Sequence, residues 1–535
     1  MGGTGIISDI PPYDLPPNAL SAGVNVRFEN GKITRAPVFK EVHEYTDDDF
    51  TPVFAFSIPP ISNGAEDIVA INQDGSQILS VIGQTVLDYT PLVPYTLGSV
   101  DDTYTHTFLG NVAYFNRKTS VPFQKRPSDL TFAPLENWDD DWRCGALRSY
   151  KDFLIALNVR KGAVEYPSMV KWSDLSSFGG PPPSWDVAST TNSAGENILN
   201  EMREPLVDGL SLRDSFILYG STEVWIMDYI GGNFLFRFRK LFKESGVISA
   251  NCAVEIEGLH YVFGKNDIWL HDGTTKKSII HGTNRDYVFK NLVGLHANRC
   301  FVSHDPKLNE IHFNYPSSDP LVAFEDPTTG CNRSAVYNYK RDTWTFYDMP
   351  NVTAFCLAGI ASGSTYETDP TLLYPDASDD YLPTDDEKEQ HCMFVSRIDD
   401  GMGLTKNRIL GLDLATRGKL DRDVSSEALK EAFAERTFMD LDESGAPIVS
   451  YKALHEIYPQ LELEGDALPE FQFAASHFSK GSLTWSTRQT FDPAVDYKLD
   501  VREAGRYLAW RLYYDGTNDF GFSGLDARVT QRGHQ

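Results

Sequence analysis

The chain has 535 residues, with 75 acidic and 48 basic side chains and a formal net charge of −27. At about 150 residues per domain, this length exceeds one compact core unless the fold is a repeat that grows as a single unit. Hydrophobic residues at 41% and aromatics at 12% exclude general disorder, and the acidic balance excludes a protein that grips phosphates over a wide basic surface.

The 40 Gly and 30 Pro beside 25 Tyr and 32 Phe suit many short strands separated by turns, so a mainly β fold is expected. Residues Met1 to Ile10 lack the basic and apolar regions of a secretory leader, and no stretch approaches the ~18 apolar residues of a membrane helix. The expectation is a protein made in cytoplasm with no membrane span. The six cysteines, at 144, 252, 300, 331, 356 and 392, are scattered without zinc spacing and read as buried free thiols.

In chain order, Ile10-Pro-Pro-Tyr-Asp-Leu-Pro-Pro-Asn18 cannot be helix or central strand, because four prolines remove amide donors; it should be an extended arm lying across something. A β-hairpin follows, Ala22 to Phe28 and Ile33 to Ala36, around Asn30-Gly31. The arm and hairpin make a first region, 1–45. From 46 to 361 one phrase repeats, a short apolar strand, a polar turn and a second strand. It is seen at 67–81, 108–115, 150–157, 215–228, 259–272 and 334–347. In two copies the sequences Val224-Trp225-Ile226 and Ile268-Trp269-Leu270 lie 44 residues apart, inside the ~40–50 residue period of propeller blades. A hairpin alone is marginal in water, so the copies must pack on one another. A β-propeller of six blades satisfies this without long exposed edges; a β-sandwich array is the alternative.

Residues 362–465 are expected to form a loop-rich, partly helical insertion. The stretch 362–389 is rich in Asp, Thr, Pro and Ser, while Ser425 to Arg436, with Leu429 and Phe433 on one face, and Ser450 to Tyr458 before Pro459 read as helices. From 466 to 535 the β pattern returns, in Phe471–Phe473, Gly481–Ser486, Tyr497–Val501, Gly505–Tyr514 and a strand pair from Phe520 to Val529.

Catalytic patterns are weak. No nucleophile elbow, phosphate loop, zinc-protease motif or dinucleotide fingerprint occurs, so no catalytic, cofactor or metal residue is assigned. The runs Asp47–Asp49 and Asp139–Asp141 could offer paired carboxylates but read as solvated turns, the latter anchored by Trp138 and Trp142. Asp440, Asp442, Ser444 and Gly445 match part of an EF-hand loop, yet Tyr451 stands where a bidentate Glu is needed. Phe478 to Trp485 has the flavour of an Asp-box turn without its Asp. One basic stretch stands out, Phe234 to Lys243. At period 2 it places Phe234, Phe236 and Phe238 on one face and Arg237 and Arg239 on the other. Arg237, Arg239, Lys240 and Lys243 are candidates for a subunit interface or a DNA-proximal strand; solvated surface is the plain alternative.

Three segments resemble the tail nozzle, or packaged-DNA stabilisation, proteins of short-tailed bacteriophages: Ile10 to Phe28 with Gly31 to Ala36, Phe242 to Asn251 before Leu259 to Gly273, and Gly505-Arg-Tyr-Leu-Ala-Trp-Arg511. The likeness covers about two thirds of the chain, with 362–465 outside it. The resemblance implies a structural, non-enzymatic virion protein, assembled in the host bacterial cytoplasm. It would form a homohexameric ring below the portal and adaptor, contact tail fibres or spikes, and retain duplex DNA and conduct it without reading sequence. The competing expectation is a tail-associated propeller lectin or glycosidase acting on host surface polysaccharide. A cytoplasmic scaffold of the Trp-Asp repeat type fits less well, because the regular signatures are missing.

Overall fold

The computed structural model describes residues 3–45, 50–59, 66–73, 77–82, 85–92, 102–232, 234–319, 330–359, 390–399, 405–413, 431–441, 450–516 and 518–531. They are overwhelmingly β, as expected, with one short α-helix, Arg285–Asn291, among them. The loop expected at 362–389, the run Asp47–Asp49 and residues 442–449 lie outside the described residues.

Five four-stranded antiparallel meanders follow one another along the chain and are called modules 1 to 5. They span 52–88, 104–134, 142–198, 206–243 and 253–278, and within each the strands pair in chain order. Every repeated phrase falls on adjacent paired strands. Trp225 and Trp269 sit on the third strands of modules 4 and 5, opposite Leu218 and Val262, so the 44-residue spacing is a true structural period. The turn between first and second strands holds a left-handed residue in each of modules 2 to 5, at Asn111, Lys151, Arg213 and Glu257 (φ 66°, 51°, 53° and 52°). Such turns match the twist of the strands they join.

A seven-stranded sheet comes next, in the order Phe301–Asp305, Glu310–Tyr315, Cys331–Asn338, Thr343–Gly359, Gln390–Asp399, Thr405–Asp413 and Val38–Tyr45. Its long strand Thr343–Gly359 turns at Asn351, whose φ is 48°, and serves twice. Up to Val352 it pairs with Cys331–Asn338, and from Val352 on with Gln390–Asp399. The sheet thus contains two quartets that share one strand. Seven quartets result where six repeated units were expected, because the last is completed by a strand from the first 45 residues, which no local repeat could signal.

Residues near both ends build two five-stranded sheets packed face to face. One orders Ala22–Val24, Ala432–Met439, Tyr507–Tyr514, Glu470–Ser476 and Gln489–Thr490; the other orders Val26–Glu29, Lys32–Arg35, Phe520–Gln531, Lys452–Leu463 and Leu499–Gly505. Phe522 joins them, its ring centroid 5.5 Å from Trp510 and 5.9 Å from Phe471. These side chains belong to one continuous core with modules 4 and 5 and the seven-stranded sheet. The hairpin at Asn30-Gly31 forms as expected, with φ of 51° and 79°. Asn25 (φ 57°) breaks the strand before it, so the two pieces enter different sheets.

Several expectations are corrected. The helix placed at 425–436 is replaced over Ala432–Met439 by a strand in which Ala432 and Ala434 are buried and Phe433 and Glu435 are half-exposed, a period of 2. Its first residues lie outside the described ones. The helix at 450–458 is instead the strand Lys452–Leu463. Helix-forming residues there yield to strand pairing on both sides, and Pro459 is tolerated because pairing with Leu499–Gly505 stops at Ile457, leaving that edge free. Phe520 to Val529 is one strand and no hairpin, and Gly481–Ser486 forms no strand. The proline arm contains a single 3-10 turn, Pro12–Asp14, and does lie across the body: the buried guanidinium of Arg436 donates to the carbonyls of Pro12 and Leu15.

Candidate functional site

The first strands of the modules converge on one cleft of about 330 Å³. Phe54, Tyr104, Arg148, Asp208, Ala253 and Phe301 line it from six successive first strands, and Ala354 adds the second half of Thr343–Gly359. Adjacent first strands stack directly where aromatic residues meet, Phe54 on Tyr104 at 5.5 Å and Phe56 on His106 at 5.1 Å.

A charged pair crosses this cleft. Arg148 of module 3 donates to Asp208 of module 4 through Nε (2.8 Å) and Nη2 (2.7 Å), a bidentate geometry, and also to the His106 carbonyl at 2.9 Å and Asn251 Oδ1 at 2.8 Å. Asp208 further accepts the backbone amides of Gly209 and Asn251, each at 2.8 Å, and Asn251 Nδ2 reaches the Tyr104 carbonyl. Modules 2, 3 and 4 and the segment entering module 5 are therefore tied at their centre by one network. Among the described residues, the two carboxylates lining the cleft are engaged, Asp208 as above and Asp102 with Arg117 at 3.7 Å. His106 is held neutral, with burial and then the Arg148 charge lowering its pKa to about 3.

A second buried network joins modules 4 and 5. The Tyr219 hydroxyl lies 2.7 Å from both His260 Nδ1 and His271 Nε2. His260 Nε2 faces the Ser211 carbonyl at 2.9 Å and must donate, and the Gly273 amide donates to His271 Nδ1. One proton arrangement follows: His271 Nε2–H to Tyr219, Tyr219 O–H to His260, and both imidazoles neutral. Burial lowers them to about 4 for His260 and about 3 for His271.

The four basic candidates fall on one strand, Phe236–Lys243, the outer edge of module 4. Arg237 and Arg239 point outward and share Asp228 Oδ2 at 3.0 and 3.6 Å. Burial acts to raise the Asp228 carboxyl, but bonds from Ser215 and Arg237 and the charge of Arg239 hold it below the ordinary range. Lys240 pairs with Glu223 at 3.1 Å and covers the Trp225 ring. Phe236 is buried and Phe238 half-buried, whereas Phe234 precedes the strand and is exposed. Asp139–Asp141 form an exposed turn anchored by Trp138, whose indole donates to the Trp142 carbonyl. Asp440 faces Lys452, and no metal-holding group of three His, Cys, Asp or Glu occurs among the described residues. All six cysteines are buried free thiols.

No family model matches the chain, and no curated protein does. Among solved structures it is similar to the extracellular domain of a putative hybrid two-component system from B. thetaiotaomicron. Identity is 12% and the TM-score 0.32, over 55% of this chain and 37% of that one, so the match spans little more than a third of that protein's length. So distant a likeness carries no argument about function. No helix among the described residues is long and apolar enough to cross a membrane.

The central network was missed from sequence, since Arg148, Asp208 and Asn251 lie in different repeats. The available signal was one charged residue, Asp208, inside the mostly apolar first strand Leu206–Leu212.

Proposed function

We propose that the chain is a structural subunit of a short bacteriophage tail, a β-propeller protein that assembles as a ring below portal and adaptor, retains packaged DNA and conducts it during ejection. The observation that carries the reading is the arrangement of consecutive four-stranded meanders around one cleft, combined with the segments that resemble tail nozzle proteins. On this reading the seven quartets would serve as blades, one more than the six expected, the last completed by Val38–Tyr45.

The cleft itself is no conduit. Its 330 Å³ is at the lower end of small-molecule pockets, ~300–1,000 Å³, and far too small to pass a duplex. Arg148 and Asp208 also bar the way. DNA would therefore pass between subunits, along a bore enclosed by the ring. Copies carrying −27 each supply a wall that repels phosphate and lets DNA slide. The polysaccharide-hydrolase alternative needs two carboxylates free to face a sugar, and the carboxylates lining the cleft are both engaged.

The test is to purify the protein and mix it with the portal–adaptor complex. The expected result is a ring added on the portal axis by cryo-electron microscopy and no cleavage of host polysaccharide. A monomer that leaves the complex unchanged, or one that hydrolyses glycans, overturns the proposal.

A further inference from the structure

A second cavity, of about 230 Å³, lies where module 3 meets module 2 and the segment entering module 4, and it shares no lining residue with the central cleft. Lys118, Thr119, Arg143, Arg160, Glu165 and Pro205 are among the residues that line it. Three of these are cations and one is a carboxylate, so the lining carries 3 − 1 = +2 in a chain of net charge −27.

The two arginines are set against each other. Arg143 and Arg160 stand directly opposite on the paired strands Trp142–Tyr150 and Phe153–Lys161, so their side chains share one face, and like charges placed this way are destabilising. Among the described residues no other two Lys or Arg oppose each other in a strand pair. Where two acids are opposed in the same way, Glu456 and Asp500, the chain supplies its own bridge: Lys498 Nζ lies 2.7 Å from the first and 2.9 Å from the second. No carboxylate does this for the arginines. Arg143 donates to the carbonyls of Thr119, Asp140 and Trp142. Glu165 stands opposite Arg160 on the next strand, yet among the described residues Lys118, Arg160 and Glu165 make no side-chain hydrogen bond or ion pair. Burial and then the Arg160 charge hold the Arg143 guanidinium below its ordinary pKa, and Asp141 and Asp140, which act the other way, do not reverse this.

The backbone keeps the space in front of the arginines clear. Asn158 is left-handed (φ 54°) at a register shift between the second and third strands, and its Nδ2 is turned to the Leu206 carbonyl at 3.2 Å. Gly145 lies beside it, where a Cβ would come within 3.1 Å of Asn158.

We propose that this cavity binds a small dianionic phosphate, free or as the monoester of a small molecule, with Arg143, Arg160 and Lys118 as its donors. The anion takes the place that Lys498 fills for the opposed acids. Guanidinium forks match phosphate oxygens, the lining charge matches a dianion, and the volume is below that of drug-sized pockets. Because Lys118 belongs to module 2 and Arg160 to module 3, a bound ion ties the two modules together and stabilises the folded chain. The inference is independent of the ring reading.

The experiment titrates the full chain with sodium phosphate, and separately with glycerol phosphate, by isothermal calorimetry at a constant ionic strength of about 0.15 M set with NaCl. Arg160→Gln and Glu165→Gln are compared with the wild type; both side chains are exposed, so circular dichroism should be unchanged. The expected result is saturable one-site binding that Arg160→Gln weakens by roughly tenfold or more and that Glu165→Gln strengthens, since it removes the lining carboxylate. Binding of both compounds identifies a monoester site, and binding of phosphate alone a site for the free ion. Absence of saturable binding of either compound to the wild type overturns the proposal, as does equal binding by Arg160→Gln. Displacement of phosphate by a 30-base-pair duplex would make the cavity part of a nucleic-acid surface and overturn it too.

Discussion

Replacing Arg148 with Leu is expected to destabilise the protein by about 3–5 kcal/mol, the range for breaking a buried ion pair from one side. The size follows from what stays behind. Asp208, 5% exposed, loses both guanidinium bonds and keeps only the amides of Gly209 and Asn251, while the His106 carbonyl and Asn251 Oδ1 each lose a donor. Asp208→Leu should cost a similar amount by stranding the guanidinium. The double substitution leaves no uncompensated charge, so it should cost less than the two single changes together, by ~1–3 kcal/mol. Urea unfolding followed by tryptophan fluorescence gives the global effect. Hydrogen exchange at the Gly209 and Asn251 amides gives the local one, which matters in a chain of this size because unfolding need not occur in one step. Single substitutions that cost under ~1 kcal/mol, or a double that costs the full sum, would refute the view that this pair holds the centre closed.

Acid should weaken the junction of modules 4 and 5. His260 and His271 titrate near 4 and 3 when folded against ~6.5 when unfolded, so the unfolded chain binds more protons in between; their contribution is complete above pH 6.5 and falls as pH drops toward 4 and 3. At pH 5 each accounts for a loss of about 2 kcal/mol. Melting curves at pH 8, 6.5 and 5 should show the decline, and His271→Gln should reduce its slope by close to one proton; equal stability from pH 7 to 5 would contradict this. Arg436→Ala should free the proline arm, read as faster proteolysis within residues 8–18 with the rest of the chain resistant. Six thiols should stay unreactive toward a disulfide reagent in the native protein and all react on denaturation, since burial both hides them and raises each thiol well above its ordinary pKa.

Local pattern made the hairpins legible. Asn30-Gly31, the paired phrases of modules 2 to 5 and the 44-residue spacing of Trp225 and Trp269 all describe contacts made within a few residues. What stayed hidden depended on distant partners. Ala432–Met439 has helix-forming residues and becomes a strand because Ala22–Val24 and Tyr507–Tyr514 flank it. The seventh quartet needed Val38–Tyr45 to return beside Thr405–Asp413. Of the site, the basic edge could be read because Arg and Phe alternate along one strand. The Arg148–Asp208 bridge and the His260–Tyr219–His271 relay could not, because spacing says nothing about side chains that meet across different sheets.

The first 45 residues are sewn into three sheets by partners made very late: Ala22–Val24 by Ala432–Met439, Lys32–Arg35 by Phe520–Gln531 and Val38–Tyr45 by Thr405–Asp413. At ~5–20 residues per second, those partners emerge from the ribosome roughly 20–100 s after the segments they cover. Throughout that interval the opening strands wait as bare, sticky templates. Production of this protein is thus most exposed to aggregation during its own synthesis, and a truncation before Phe520 would strip Lys32–Arg35 of its partner as surely as it removed the later strand.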